Sequence, residues 1–131
     1  MYNLKFKICW LIFGVIVLIF CSGLMLLPSE WFFAKDDTIS IPFLDKMMHS
    51  ALFFLLVIWF SGQLRSLLVI FFFVSLYGFL IEGAQHLISY RDSDLMDILA
   101  NVVGALLGII ISRSNTSGWS KRFENKFIIK R

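Results

Sequence analysis

The chain contains 131 residues, of which 59% are hydrophobic and 16% are charged, and its formal net charge is +3 at pH 7. Because soluble domains carry about 25% charged residues, this composition excludes an ordinary soluble globular protein. The length is that of one domain, so the sequence indicates a single domain embedded in a membrane.

Four hydrophobic stretches follow one another along the chain, at residues 8–27, 43–61, 66–89 and 95–112. Each approaches the roughly 20 residues that a helix needs to cross a hydrocarbon core about 30 Å thick. The first stretch is longer than the apolar part of a signal peptide and no A-x-A-like site closes it, so we interpret it as an uncleaved anchor. The sequence predicts an all-α, four-helix transmembrane bundle, a multi-pass protein of the cell membrane in which residues 1–131 form one domain.

The distribution of charge predicts the orientation of this bundle. If the helices alternate in direction, one side of the membrane carries nine basic residues and the single acid Glu124, and the other carries three basic residues. Cytoplasmic loops carry the excess of Lys and Arg, so we predict that both termini are cytoplasmic. The loop over residues 28–42 and the turn at Tyr90 then face outward, and "GQLR" forms a cytoplasmic hairpin.

The C-terminal segment "WSKRFENKFIIKR" carries five of the twelve basic residues. We interpret it as a topology signal that also touches anionic lipid, an attraction worth about 1 kcal/mol for each Lys or Arg near the surface. Membrane lipid is therefore the expected partner, and nucleic acid is not.

Polar residues interrupt three of the four spans at one depth. His49 lies six residues past Phe43, Glu82 lies seven before Ser89, and Asn101 lies seven past Asp94. At about 1.5 Å of rise per residue, all three lie roughly 10 Å below the outer surface. The sequence therefore places imidazole, carboxylate and amide in one layer.

Helical spacing also puts the polar residues of each span on one face. The three sets are Asp45 with His49, Glu82 with Gln85, and Asp94 with Asp97 and Asn101. Gly104 and Gly108 continue the last face in a GxxxG spacing, which lets another helix approach closely. A charged residue near the middle of a span costs about 2.5–3.5 kcal/mol, so several in one bundle need mutual compensation. We expect an outward-opening polar pocket in which Lys46, His49 and Arg91 pair with Glu82, Asp94 and Asp97.

Three motifs in this order resemble those of the VanZ-like membrane proteins, a family named for a protein linked to teicoplanin resistance in bacteria. They are "DKMMH" in the second span, "EGAQ" in the third, and "RDSDLMDILANVVGALLG" leading into the fourth. The resemblance covers residues 45–108, and the first span fits in position only. The matching residues are Asp45, Lys46, His49, Glu82, Gln85, Arg91, Asp97, Asn101 and Gly104.

The resemblance implies a small bacterial membrane protein, associated in some members with reduced susceptibility to lipoglycopeptides. We predict that the pocket binds or modifies a cell-envelope component, such as a lipid-linked precursor or a glycopeptide. His49 would be the general acid or base, because imidazole titrates near neutrality, and Glu82 would orient it. Lys46 and Arg91 would hold an anionic group such as phosphate. The candidate catalytic residues are His49, Glu82 and Asp97, and the candidate substrate-binding residues are Asp45, Lys46, Gln85, Arg91 and Asn101.

Two other interpretations stay open. In a structural interpretation, the buried polar groups only hold the helices together, at about 0.6 kcal/mol per contact on average. In the other, a metal site forms from His49, Glu82 and Asp97, with His86 one turn beyond Glu82, because carboxylate and imidazole suit Zn or Mn. The chain has no close ligand pair such as HExxH, so the main prediction includes no metal. The cofactor, the reaction and the oligomeric state stay undetermined.

Overall fold

The computed structural model describes residues 1–27, 41–88 and 94–128, and every regular element in these ranges is helical. There are five α-helices: α1 (Lys7–Leu26), α2 (Ile41–Ser61), α3 (Leu67–His86), α4 (Leu95–Ile111) and α5 (Trp119–Phe123). Two single turns of π-helix, Ser112–Thr116 and Glu124–Ile128, flank α5. The prediction of an all-α protein is confirmed.

Helices α1 to α4 are long and apolar enough to cross a membrane. Their bounds agree with the predicted spans to within three residues. Ser66 begins α3, its side chain accepting from the Val69 amide at 3.4 Å, and Asp94 begins α4, accepting from the Met96 amide at 3.0 Å. Such caps satisfy amides that the helix itself leaves without a carbonyl partner.

The closest packing in the bundle is between α2 and α4, which form the most extensive helix pair. A Cβ atom on Gly104 would overlap the carbonyl group of Ser50, and one on Gly108 would lie 2.7 Å from Cβ of Val57. The predicted GxxxG face therefore packs against the backbone of α2. This contact fixes the positions of the polar residues that precede it on both helices.

Helix α1 is joined to α3 by polar contacts within the apolar bundle. The Tyr77 hydroxyl donates to the Leu18 carbonyl at 2.9 Å and lies 2.8 Å from the Ser22 hydroxyl. The Gln85 amide group donates to the Met25 carbonyl at 2.8 Å. These bonds fix the orientation of α1, which otherwise presents mostly exposed apolar side chains.

The C-terminal segment folds back onto the start of the chain, which we did not expect from its basic composition. The amide of Gly118 donates to the Ser61 carbonyl at 2.8 Å, and the Trp119 indole donates to the Ile58 carbonyl at 3.0 Å. The Trp119 ring also lies 5.3 Å from that of Trp10 and 5.5 Å from that of Trp59. We call this end of the bundle the tail end, and the end where α2 and α4 begin the site end.

Candidate functional site

Three buried polar side chains meet near the site end, one each from α2, α3 and α4. Nδ1 of His49 lies 3.1 Å from Oδ1 of Asn101 and 3.6 Å from Oε1 of Glu82. The exposed fractions are 0% for His49, 5% for Glu82 and 3% for Asn101. The structure therefore brings together the three residues that the sequence placed in one layer.

The neighbours of His49 determine its tautomer. Oδ1 of Asn101 and Oε1 of Glu82 both face Nδ1, and an amide oxygen and a carboxylate oxygen can only accept. A neutral ring that donates to the Asn101 oxygen carries its hydrogen on Nδ1 and its lone pair on Nε2. This arrangement leaves Nε2 as the nitrogen that can accept a proton or bind a cation.

Lys46 links the two helices that begin at the site end. Its Nζ donates to Oδ2 of Asp94 at 2.7 Å and to Oδ1 of Asp97 at 3.0 Å. The hydrogen bond from Lys46, helped by the Met96 amide, holds the pKa of Asp94 below its ordinary value. The predicted pairing of Lys46 with these carboxylates is observed. Because the ammonium group already has two carboxylate partners, it has less capacity to hold a phosphate than the sequence suggested.

Asp45 lies on the same side of α2 as His49, one turn nearer the helix start. One carboxylate oxygen of Asp45, one of Asp97 and one ring nitrogen of His49 lie within 4.8 Å of one another. Asp97 and His49 are buried, and Asp45 is half-buried. Glu82, which the sequence grouped with the possible metal ligands, lies instead beside Nδ1 of His49.

A cleft of about 260 Å³ opens between α3 and α4 next to these residues. It is lined by Phe79, Glu82, Gly83, His86, Asp94, Leu95 and Ile98. Its lining combines two carboxylates and an imidazole with large apolar side chains, and Phe79 and Leu95 are 64% and 82% exposed. The cleft therefore opens sideways, through a face that is otherwise apolar.

The VanZ/LLP1 family model matches residues 6–116 of the chain. The chain belongs to the VanZ/LLP1 family. This match extends beyond the resemblance seen in the three motifs, because it includes the first span, and every candidate site residue lies within it. No curated protein and no solved structure matches the chain.

One predicted binding residue of this VanZ/LLP1 protein bonds to a neighbouring helix and not to the pocket. Gln85 is buried, and its amide nitrogen is bonded to the Met25 carbonyl of α1 rather than to a pocket residue. Arg91 lies outside the described residues, as does the turn at Tyr90. Within the described ranges, Oε1 of Gln85 and Nδ2 of Asn101 are buried without a hydrogen-bond partner.

Sequence reasoning missed two features of the VanZ/LLP1 chain. Gly83 and His86 line the side cleft, although the sequence indicated His86 only as part of a possible metal site and gave no role to Gly83. The spacing of His86, one helical turn after Glu82, was a usable signal, but the cleft depends on how far α3 and α4 separate. The buried carboxylate of Glu124 was also missed, and the signal there was its position as the single acid among many basic residues.

Proposed function

We propose that this VanZ/LLP1 protein binds or modifies a cell-envelope component in a pocket open to the outer face of the cell membrane. The observation that carries this proposal is the meeting of His49, Glu82 and Asn101 from three helices beside a side-opening cleft. The excess of basic residues at the tail end supports an outward-facing site end.

The polar groups of the pocket fit a ligand better than they fit one another. Nδ2 of Asn101 is buried without a hydrogen-bond partner among the residues described. Leaving a buried polar group unsatisfied costs about 1–3 kcal/mol, so a network that served only packing would be expected to pair its members. A bound head group could pair with the amide of Asn101.

His49 is the candidate for proton transfer. Its Nδ1 is oriented by Asn101 and Glu82, so Nε2 holds the lone pair of a general base. Glu82 also stabilises the imidazolium that forms when Nε2 accepts a proton. Asp97 positions Lys46 and presents a second carboxylate to the pocket. If the pocket performs a reaction, these three residues are its catalytic group.

The lining of the cleft indicates an amphiphilic ligand. The carboxylates and the imidazole of its lining suit a hydrated head group, and the exposed Phe79 and Leu95 suit an acyl or isoprenoid chain. We therefore infer that a lipid-linked envelope precursor enters sideways between α3 and α4. A protein that binds or alters such a precursor would lower susceptibility to lipoglycopeptides. A protein that binds or alters the glycopeptide itself would have the same effect.

The test supplies the wild type and the variants His49→Ala and Glu82→Ala to a teicoplanin-sensitive bacterium. We expect both variants to lose the reduction in susceptibility and the change in envelope precursors while membrane abundance stays normal. Gln63→Ala is the matched control, because Gln63 is a buried polar residue at the opposite end of the bundle. Unchanged susceptibility and precursors in both site variants would overturn the proposal.

A second arm tests the sideways route. Gly83→Trp would fill the mouth of the cleft, and no atom lies within 4 Å of a Cβ built at Gly83. Gly23→Trp is the control, because Gly23 has the same open space on α1. We expect only the Gly83 variant to lose the phenotype.

The structural interpretation makes a different prediction from the same variants. It is favoured by the Lys46 bridge to α4 and by the close contact of Gly104 with Ser50, both of which hold helices together. If the polar groups only join helices, each variant should lose phenotype in proportion to its loss of abundance or thermal stability. Loss of phenotype in folded, abundant protein would exclude this interpretation.

A further inference from the structure

We propose that Asp45, His49 and Asp97 bind a divalent transition-metal ion of the Zn²⁺ or Mn²⁺ class. One donor atom from each of these side chains lies within 4.8 Å of the other two. Imidazole is a common ligand of Zn²⁺ and carboxylate is a common ligand of Mn²⁺, so their combination suits these ions. The ion would be a cofactor of the pocket described above, so its role in that pocket rests on the proposed function.

The separation of the donors is close to that of a loaded site. Bonds from Zn²⁺ to imidazole nitrogen or carboxylate oxygen are about 2.0–2.2 Å, so donors to one ion lie roughly 3–3.6 Å apart. Small side-chain rotations close the remaining distance. Asp45 and His49 share one face of α2, and Asp97 lies in the first turn of α4. These two helices form the closest pair in the bundle, so the donors are carried by a rigid support.

The surroundings of His49 match those of a metal-binding histidine. Metal-bound imidazoles almost always donate the hydrogen of their other nitrogen to a carboxylate or carbonyl oxygen. Here Oδ1 of Asn101 and Oε1 of Glu82 lie 3.1 and 3.6 Å from Nδ1. Nε2 is therefore the ligand nitrogen, and Asn101 and Glu82 are its positioning residues.

The charge of the pocket also favours a cation. Within the described ranges, this end of the bundle brings together the carboxylates of Asp45, Glu82, Asp94 and Asp97 and the ammonium group of Lys46. Lys46 is bonded to Asp94 and to one oxygen of Asp97, which leaves the other oxygen of Asp97 for a metal. These carboxylates would attract a divalent ion, and the attraction is stronger inside the bundle than in water.

An ion held by three protein ligands keeps positions for other oxygens. Asp45 is half-buried and Asp94 is exposed, so the site is open toward the site end. The ion could then hold an anionic head group through a phosphate or carboxylate oxygen. It would supply positive charge for the head group. Lys46 supplies this charge less well, because its ammonium group is already paired with two carboxylates.

The test uses the full-length protein purified in detergent, stripped with a chelator and then titrated separately with Zn²⁺, Mn²⁺ and Mg²⁺. We expect one Zn²⁺ or Mn²⁺ per chain by elemental analysis, and a melting temperature that rises with its concentration. Asp45→Asn and His49→Gln should weaken binding at least tenfold, and Asn101→Leu should weaken it roughly 10–100-fold through loss of the bond to Nδ1. Gln63→Ala is the control, since Gln63 is a buried polar residue at the tail end, and this variant should bind as the wild type does.

Three results would overturn the proposal: no stoichiometric ion, binding by the Asp45 and His49 variants equal to that of the wild type, or loss of binding in Gln63→Ala alone. Should a variant fail to fold, the absorption spectrum of Co²⁺ bound to the wild type reports directly on imidazole and carboxylate ligands. Absence of metal with loss of phenotype in His49→Ala would show that the pocket acts without an ion. Metal binding with an unchanged phenotype would instead refute the proposed function and leave the metal site standing.

Discussion

His49 shows how one side chain gains a defined chemistry from its neighbours. Its ring is fully buried, and the oxygens of Asn101 and Glu82 both face the same nitrogen. The residues come from three helices, so the tautomer depends on the packing of the whole bundle. A change in the position of α3 or α4 would therefore alter the contacts made by Nδ1 of His49.

Gly104 is the residue that permits this packing. A side chain at this position would overlap the carbonyl group of Ser50, which belongs to the backbone and cannot rotate away. We expect Gly104→Ala to destabilise the bundle by about 1–3 kcal/mol through overpacking. The measurement is the melting temperature of purified protein in detergent.

Gly23→Ala is the matched control for this change, because no atom lies within 4 Å of a Cβ built at Gly23. Its melting temperature should equal or slightly exceed that of the wild type, since alanine favours a helix more than glycine does. Equal melting temperatures for the Gly104 and Gly23 variants would contradict the close approach of α2 and α4.

At the scale of elements, the C-terminal segment contributes a cap to α1. The carboxylate of Glu124 accepts hydrogen bonds from the amides of Lys5 and Phe6, at 2.7 and 3.0 Å, and from the Trp10 indole at 2.9 Å. Helix α1 has no side-chain cap from Phe6 itself, and a negative charge at a helix N-terminus is stabilising. Glu124 thus joins the two ends of the chain.

Glu124→Gln should therefore lower the stability of the protein. Hydrogen bonds to charged groups are worth about 1.5–3 kcal/mol, so we expect a loss on the order of 1–3 kcal/mol at neutral pH. Thermal unfolding in detergent measures this loss. Asn125→Ala is the control, because Asn125 is the exposed neighbour of Glu124 and should have little effect.

The stabilisation by Glu124 should also depend on pH. Burial alone would raise the pKa of Glu124, but the hydrogen bonds from Lys5, Phe6 and Trp10 outweigh it and hold the pKa below its ordinary value of 4.5. The stabilisation by Glu124 is therefore complete at neutral pH. It is lost as the pH falls from 4.5, the ordinary pKa of a glutamate, through the lower pKa of Glu124 in the folded protein. The difference in stability between the wild type and Glu124→Gln should shrink over that pH range. A constant difference would contradict the hydrogen bonds from Lys5, Phe6 and Trp10 to the ionised carboxylate.

At the scale of the whole molecule, the proposed function requires the site end to face outward. In a background carrying Cys9→Ala and Cys21→Ala, a cysteine at Leu87 tests the site end and one at Asn125 tests the tail end. Both positions are exposed. We expect a membrane-impermeant maleimide to label the Leu87→Cys variant in intact cells, and the Asn125→Cys variant only after permeabilisation. The reverse pattern would place the pocket in the cytoplasm and end its assignment to the outer envelope.

The sequence by itself determined the four spans and the shared depth of His49, Glu82 and Asn101, because hydropathy and helical rise act along the chain. It also predicted the face that carries Gly104, since helical spacing fixes which residues share a side. Only the tertiary structure decided which nitrogen of His49 faces Asn101 and which carboxylates bind Lys46. It also decided that Glu124 caps α1, although 118 and 119 residues separate it from the two amides that it binds. These features depend on distances between helices, and such distances are set by side-chain packing that no local pattern encodes.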